Sequence, residues 1–239
     1  MLVLSLSHTW SAGAHTVQPG AAPSADTQAR SPLEGPRRRR GSASWFSWLP
    51  QLSLRDPAGR EVTVGFRAAV LDDVPALEAL VARSARGLSR GDYSEAQVEA
   101  ALGSALGVDT QLVRDGTYFV AEAGGALVAC GGWSFRKTLF GGDGRASREP
   151  EPVDPARDAA RIRAFFVHPD WARRGLGRAL LELCEAKARE RGFAAAELMA
   201  TLPGVRLYRT FGYRAGAPVQ HALPGGGTIE FVPMRRELR

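Results

Sequence analysis

Two glycines and three arginines lie together at residues 173–178, shortly after an apolar run that ends in Val167-His168-Pro169. A run of this kind, stopped by a proline and followed by glycines, predicts a strand, a turn and then a helix. Glycine lets the main chain approach a ligand, and the free N–H groups of the first helical turn point towards it. With the helix dipole and arginines beside them, these groups suit a pyrophosphate. The residues assigned to this site are Arg173, Arg174, Gly175, Leu176, Gly177 and Arg178.

Tyr208 is the second candidate for chemistry. It lies in the segment 205–211, whose residue pattern predicts a short helix that ends at Gly212. A tyrosine at such a position is commonly part of an aromatic core. A phenol can also donate a proton to a leaving group. The residues alone leave both interpretations open.

The elements that must position these residues follow the order β-α-α-β-β-β-α-β-α-β-β. Apolar alternation predicts the first strand, Ser94-x-x-Gln97 predicts a capping box, and Gly124-Gly125 predicts a hairpin turn. Hairpins mixed with crossover helices indicate one domain with a mixed sheet covered by helices. The long Gly- and Pro-rich loop at 136–160 is typical of a functional lid or a mobile segment. The predicted strands are 61–70, 118–123, 126–135, 161–167, 194–200, 213–219 and 228–235.

Composition excludes several classes of protein. The chain has 239 residues, of which 44% are hydrophobic and 23% charged, as in an ordinary globular domain. No apolar run reaches the roughly 18 to 20 residues that a membrane-spanning helix needs. Cys130 and Cys184 cannot form a disulfide framework, and both are expected to be buried thiols. The four histidines show no metal-ligand spacing, so no metal is expected.

The net charge of +6 is concentrated in the first part of the chain. Residues 1–60 contain seven arginines against three carboxylates, so the remaining 179 residues carry only +2. Residues 1–55 are therefore interpreted as a disordered basic extension, and 56–239 as the folded domain. The segment 45–48 is rich in aromatics and follows an arginine cluster; it is a linker packed on the domain, or it binds an anionic membrane or RNA. No nucleic-acid binding is expected for the folded domain.

Taken together, the two segments resemble the GNAT superfamily of acetyl-CoA-dependent N-acetyltransferases. The resemblance spans about residues 62–236 and rests on three matches: Val167-His168-Pro169, Arg173-Arg174-Gly175-Leu176-Gly177, and Leu207-Tyr208 with Gly212-Tyr213. It implies an α/β (α+β) fold with a mixed, mostly antiparallel central sheet of about seven strands flanked by four helices. Ala172 and Thr201 depart from the residues that the family usually has at those places.

The resemblance also implies a reaction. Acetyl-CoA, as co-substrate, would lie between the strands 161–167 and 194–200, held by main-chain groups near Phe166 and Val167, with His168 beside them. An amine of a small molecule or a protein would attack the thioester directly, and Tyr208 would protonate the departing thiolate. The expectation is a cytoplasmic enzyme, with a homodimer as a candidate assembly. The alternative is a catalytically weak protein that binds acyl-CoA as a sensor.

The base that deprotonates the amine is not identified by the sequence. Many family members carry a glutamate on the strand that here reads Arg161-Ile162-Arg163-Ala164, and no carboxylate stands there. Glu197, Glu122 and His168 are the candidates that remain. A dinucleotide-binding domain around Gly175 fits poorly, because no βαβ unit with an acidic residue follows at the expected spacing.

Overall fold

The computed structural model describes residues 51–145 and 149–238. The predictions for the first 50 residues, including the aromatic segment 45–48, lie outside this part of the chain. The strands are β1 Gln51–Arg55, β2 Glu61–Ala68, β3 Tyr118–Ala123, β4 Ala126–Ser134, β5 Ala160–Val167, β6 Ala195–Thr201, β7 Arg214–Ala215, β8 Val219–Ala222 and β9 Thr228–Glu237. The α-helices are α1 Val74–Leu88, α2 Glu95–Ala101, α3 Thr110–Arg114, α4 Leu176–Glu190 and α5 Leu202–Thr210. Two short 3₁₀ helices, Leu71–Asp73 and Pro169–Trp171, precede α1 and α4.

The strands form one mixed, mostly antiparallel sheet in the order β1-β2-β3-β4-β5-β6-β9-β7, and β8 pairs with β9 beside β7. The predicted fold class is therefore confirmed. The described sheet has nine strands against about seven expected. The difference comes from β1 and from a break that divides the strand expected at 213–219 into β7 and β8. The short α3 was also not predicted, because five residues give too little helical periodicity.

Local sequence patterns explain the elements that were predicted. Val64 and Phe66 of β2 point into the core at alternate positions. At the start of α2, Gln97 N–H donates to Ser94 Oγ at 3.2 Å, while Ser94 N–H donates to Gln97 Oε1 at 2.9 Å. This is the predicted capping box. The buried face of α4 follows the helical period, with Leu176, Leu180, Leu183, Cys184 and Ala188.

The first strand lies where the sequence predicted disorder. Residues 51–55 pair antiparallel with β2 from Gly65 to Glu61, and Leu52 and Leu54 pack against the main core cluster. The expected boundary of the basic extension at residue 55 is therefore wrong for its last five residues. Five residues next to a low-complexity stretch carry little local signal, and the neighbouring strand supplies the pairing that makes them a strand.

The long loop after β4 is held at both of its arms. Lys137 N–H donates to the carbonyl of Glu151, and Thr138 exchanges hydrogen bonds with Glu149. Further on, Gly142 N–H donates to the carbonyl of Ser104 at 2.8 Å. The described parts of this loop are thus fixed to each other and to the segment between α2 and α3 by main-chain hydrogen bonds.

The sheet opens between its two parallel strands. β5 and β6 pair only at Ala160 with Ala196 and at Arg161 with Glu197, and beyond these residues they part. The prediction that the strands 161–167 and 194–200 separate is confirmed. The gap leaves main-chain groups at the carboxyl end of β5 without a strand partner on one side, so they are available to other partners.

Candidate functional site

A cavity of about 1100 Å³ fills the gap between β5 and β6. We call it the central groove. Residues of α1, the α1–α2 turn, the loop after β4, β5, the 171–178 loop, β6 and α5 line it. Among the predicted site residues, those in its lining are Phe166, Val167, Arg173, Gly175, Leu176, Gly177, Arg178 and Tyr208.

The 173–178 loop has the backbone conformation of an anion site. Arg173 and Gly175 both adopt left-handed conformations, with φ of +63° and +89°, and Gly175 is the N-cap of α4. Alternation of right- and left-handed residues turns successive N–H groups towards one point, and the N-terminus of α4 adds its positive dipole end. A Cβ at Gly177 would lie 3.3 Å from Leu207 Cδ2, so glycine at this position allows the start of α4 to pack closely against Leu207 of α5. The loop therefore fits a phosphate or pyrophosphate group.

Two predicted cofactor residues do not line the central groove. Arg174 donates from Nε to the carbonyl of Asp170 at 3.2 Å and from Nη1 to the carbonyl of Arg55 at 2.8 Å. His168 Nδ1 accepts from Asp170 N–H, and its Nε2 lies 2.9 Å from Arg83 Nη1. Both side chains are thus committed to neighbouring residues of the protein, and each supports the loop from outside the groove.

A hydroxyl that the sequence did not single out meets the end of β5. Ser84 of α1 is buried, and its Oγ accepts a hydrogen bond from Val167 N–H at 3.1 Å. Both residues line the central groove. Because the sequence separation is 83 residues, only the tertiary fold reveals this pair.

A β-bulge in β5 turns an aromatic ring towards Tyr208. The register with β4 shifts between Cys130 and Gly132, and Ala164 at this point has φ of +54°. A Cβ on Gly131 would lie 2.8 Å from the ring of Phe165. The glycine thus makes room for Phe165, whose ring meets that of Tyr208 edge-on at 6.3 Å.

Tyr208 is both a core aromatic and a groove residue. Its ring packs against those of Phe165 and Tyr213, and only 8% of the residue is exposed. Gly204 lies one helical turn before it, and a Cβ there would come within 3.3 Å of the Tyr208 ring. Burial, with a smaller contribution from Cys184, raises the pKa of Tyr208 well above its usual 10. The phenol is therefore protonated at neutral pH.

The three candidate bases lie elsewhere. Glu197 pairs with Arg161 and, at 3.4 Å, with Arg235, and Glu122 pairs with Arg67 at 3.1 Å. Neither carboxylate lines the central groove, and His168 does not line it either. Among the described residues, Asp92 of the α1–α2 turn is the only carboxylate in the lining.

Arg163 lies in the strand segment 161–164, in which the sequence has no carboxylate. It lines the central groove but is buried, and its Nη1 lies 2.5 Å from Asp109 Oδ2. Its Nη2 donates to the carbonyl of Gly141 at 2.7 Å. The charge of Arg163 is therefore balanced inside the protein, and the guanidinium fixes the loop after β4 to β5.

Both cysteines are buried thiols, as predicted. Burial raises the pKa of Cys130 to about 12, so this thiol is not a nucleophile at neutral pH. In the part of the chain that the structure describes, no group of three or more His, Cys, Asp or Glu side chains is arranged to hold a metal ion. No helix there is both long and apolar enough to cross a membrane.

A sequence model of the acetyltransferase (GNAT) family matches residues 83–213. The chain belongs to this family. The match includes α4 with its loop, Tyr208 and the turn that carries Asp92. No curated protein matches the sequence of this family member.

Solved structures support the same fold. A GCN5-related N-acetyltransferase from Rhodopseudomonas palustris is 21% identical, with a TM-score of 0.54 over 72% of this chain and 94% of that one. The PaiA N-acetyltransferase from Thermoplasma acidophilum, crystallised with coenzyme A, is 13% identical, with a TM-score of 0.50 over 73% and 98%. The putative acetyltransferase yncA from Salmonella typhimurium, crystallised with acetyl-CoA, is 17% identical, with a TM-score of 0.50 over 74% and 94%.

Proposed function

We propose that this chain is an N-acetyltransferase that transfers the acetyl group of acetyl-CoA to an amine of a small molecule or a protein by direct attack. The observation that carries the proposal is a single groove lined by the open end of β5, by Tyr208 and by the loop 173–178, which we call the phosphate-fitting loop. Two of the similar structures were solved with coenzyme A or acetyl-CoA, which supports this co-substrate.

In this reaction the 173–178 loop holds the pyrophosphate through main-chain N–H groups, assisted by Arg173 and Arg178. Main-chain groups at the open end of β5, near Phe166 and Val167, pair with the pantetheine arm and polarise the thioester carbonyl. The N–H of Val167 itself is not among them, because it donates to Ser84 Oγ. The amine nitrogen attacks the carbonyl carbon, the carbon–sulfur bond breaks, and the phenol of Tyr208 gives its proton to the thiolate. The proton of the amine leaves to solvent.

Proton donation by Tyr208 requires a neutral phenol, and burial, which raises the pKa of Tyr208, keeps the phenol neutral. An alkylthiol has a pKa of about 8.5, below that of Tyr208, so transfer of the proton to the thiolate is thermodynamically unfavourable by itself. It is completed when solvent protons return the phenolate to its neutral form.

The alternative is a sensor that binds acyl-CoA without turnover. The absence of a carboxylate from the strand segment 161–164 favours it. Tyr208 in the groove favours the enzyme.

One experiment separates the two. Free thiol release from acetyl-CoA is measured with a panel of primary amines, and acetyl-CoA affinity is measured by calorimetry on the same preparation. Thiol release that depends on the amine is expected. Tight binding without amine-dependent release would support the sensor, and absence of binding would contradict both functions.

A further inference from the structure

The central groove has an end remote from the phosphate-fitting loop. At the first residue of α5, Leu202 N–H donates to Tyr93 Oη at 2.9 Å, next to Asp92 in the chain. Five residues further along the helix, Leu207 faces Gly177 of the loop. Five residues of α-helix span about 7 to 8 Å. The α1–α2 turn and the phosphate-fitting loop therefore lie towards opposite ends of α5.

This remote end has an apolar wall. Leu106, Phe140, Met199 and Phe231 line it, and the rings of Phe140 and Phe231 lie 5.4 Å apart. Arg145 fixes the position of Phe140 by two contacts. Its guanidinium carbon lies 4.1 Å from the centroid of the Phe140 ring, and its Nη1 donates to the Phe140 carbonyl. The wall is thus an ordered apolar surface that suits an apolar group of a ligand.

Asp92 is the negative charge at this end. Its main-chain N–H donates to the carbonyl of Ser89 at 3.1 Å, which closes the turn, and Gly91 supplies a φ of +89°. Within the described part of the chain, its carboxylate makes no hydrogen bond or ion pair with another residue. Burial, with smaller contributions from the Asp92 and Glu230 carboxylates, raises the pKa of the adjacent Tyr93 to about 12.

The other charged side chains in the lining are all arginines: Arg90, Arg163, Arg173, Arg178 and Arg206. Arg163 is neutralised by Asp109, and Arg173 and Arg178 belong to the phosphate-fitting loop. Arg90, in the same turn as Asp92, and Arg206 are both exposed. Asp92 is therefore the group in the groove lining that can balance the charge of an ammonium ion.

We propose that Asp92 binds the cationic amine of the acceptor, and that the acceptor carries this amine on an apolar body which lies against Phe140 and Phe231. The inference rests on the proposed function and narrows its substrate class to amphipathic primary amines. Asp92 binds and orients the ammonium group, which loses one proton to solvent before the neutral amine attacks and a second once the carbon–nitrogen bond has formed. Ion pairing favours the charged amine, so Asp92 contributes to the KM for the acceptor rather than to kcat.

The test compares two acceptors and three variants in steady-state kinetics. With the wild-type protein, 2-phenylethylamine should have a kcat/KM about 10- to 100-fold above that of ethanolamine, because only the former buries a ring. Asp92→Asn should raise the KM for 2-phenylethylamine about 10- to 100-fold, with kcat and the KM for acetyl-CoA little changed. Asp92→Glu should recover part of the affinity. Glu95→Gln is the control, because Glu95 is an exposed residue of α2 outside the groove lining, and this variant should behave as wild type.

An unchanged KM in Asp92→Asn would overturn the role of Asp92, and equal use of both amines would overturn the apolar acceptor. Calorimetric binding of 2-phenylethylamine to the CoA-loaded protein gives a second readout. If no amine supports thiol release, the proposed function fails. Binding that is lost in Asp92→Asn would still support this site, and absence of binding to the wild type would overturn it.

Discussion

Arg174 Nη1 donates to the main-chain carbonyl of Arg55 at 2.8 Å and so joins the phosphate-fitting loop to the first strand of the sheet. Leu52 of the same strand lies 3.8 Å from the position of a Cβ on Gly175. The strand β1 thus supports the loop with both its main chain and an apolar side chain. The sequence predicts a disordered basic extension here, and the structure connects these residues to the candidate site.

The first prediction concerns β1. A chain that starts at Gln51 should melt close to the full-length protein and bind acetyl-CoA equally well. A chain that starts at Asp56 should lose about 2 to 4 kcal/mol of stability, because Leu52 and Leu54 no longer bury their side chains. Its affinity for acetyl-CoA should also fall, since the loop loses its support. Thermal melts and calorimetry check both effects, and equal behaviour of the two chains would refute a supporting role for β1.

The second prediction concerns the glycines of the loop. Gly175→Val and Gly177→Val should each weaken acetyl-CoA binding at least about tenfold, because the new side chains strain the loop or obstruct the phosphate oxygens. Gly125→Val is the matched control. It has a similar φ of +80° but lies in the β3–β4 hairpin turn, so it should cost stability without changing affinity. Unchanged affinity in both loop variants would exclude the loop as the pyrophosphate site.

The third prediction separates the two arginines that precede Gly175. Arg173 lines the groove and makes no hydrogen bond or ion pair with another described residue, so Arg173→Ala should weaken acetyl-CoA by about 1 to 3 kcal/mol at constant stability. Arg174→Ala should lower the melting temperature as well as the affinity, because it breaks the contact with Arg55. Combining Arg174→Ala with the chain that starts at Asp56 should add little, since both remove the same contact. Full additivity would mean that Arg174 contacts the ligand itself.

The fourth prediction concerns Tyr208 as the proton donor. Tyr208→Phe should lower kcat by about 10²- to 10⁴-fold with acetyl-CoA affinity little changed. Because the pKa of Tyr208 is raised above 10, the loss should be similar at every pH from about 7 to 9. Tyr213→Phe is the control, since its hydroxyl donates to Glu185 outside the groove, and it should reduce stability without a comparable loss of kcat. A fully active but less stable Tyr208→Phe protein would assign Tyr208 a purely structural role.

The fifth prediction concerns alkaline pH. Burial raises the pKa values of all four tyrosines, to about 12 for Tyr93 and well above the usual 10 for Tyr118, Tyr208 and Tyr213. Unfolded tyrosines titrate near 10, so the unfolding free energy should be independent of these groups below that pH and fall as the pH rises through it. Urea unfolding between about pH 8 and 11 measures the fall. Phenolate absorbance with a midpoint near 10 in a protein that stays folded would contradict the burial of these groups.

The sequence by itself determined the parts of this protein whose signals are local. The capping box of α2, the alternation in β2 and the glycines that open α4 are short-range patterns, because each depends on hydrogen bonds or side-chain periods within a few residues. The family motifs likewise placed Gly175, Gly177 and Tyr208 in the site, and all three line the groove.

Tertiary structure decided what depends on partners distant in the chain. Strand β1 needed the edge of β2, and Arg174 was directed away from the groove by the carbonyl of Arg55. Ser84 reached Val167 across 83 residues, and Asp92 came to the groove only because Tyr93 joins its turn to the start of α5. No pattern within one segment encodes such contacts, since their free energy comes from burial and pairing between segments that meet only in the folded chain.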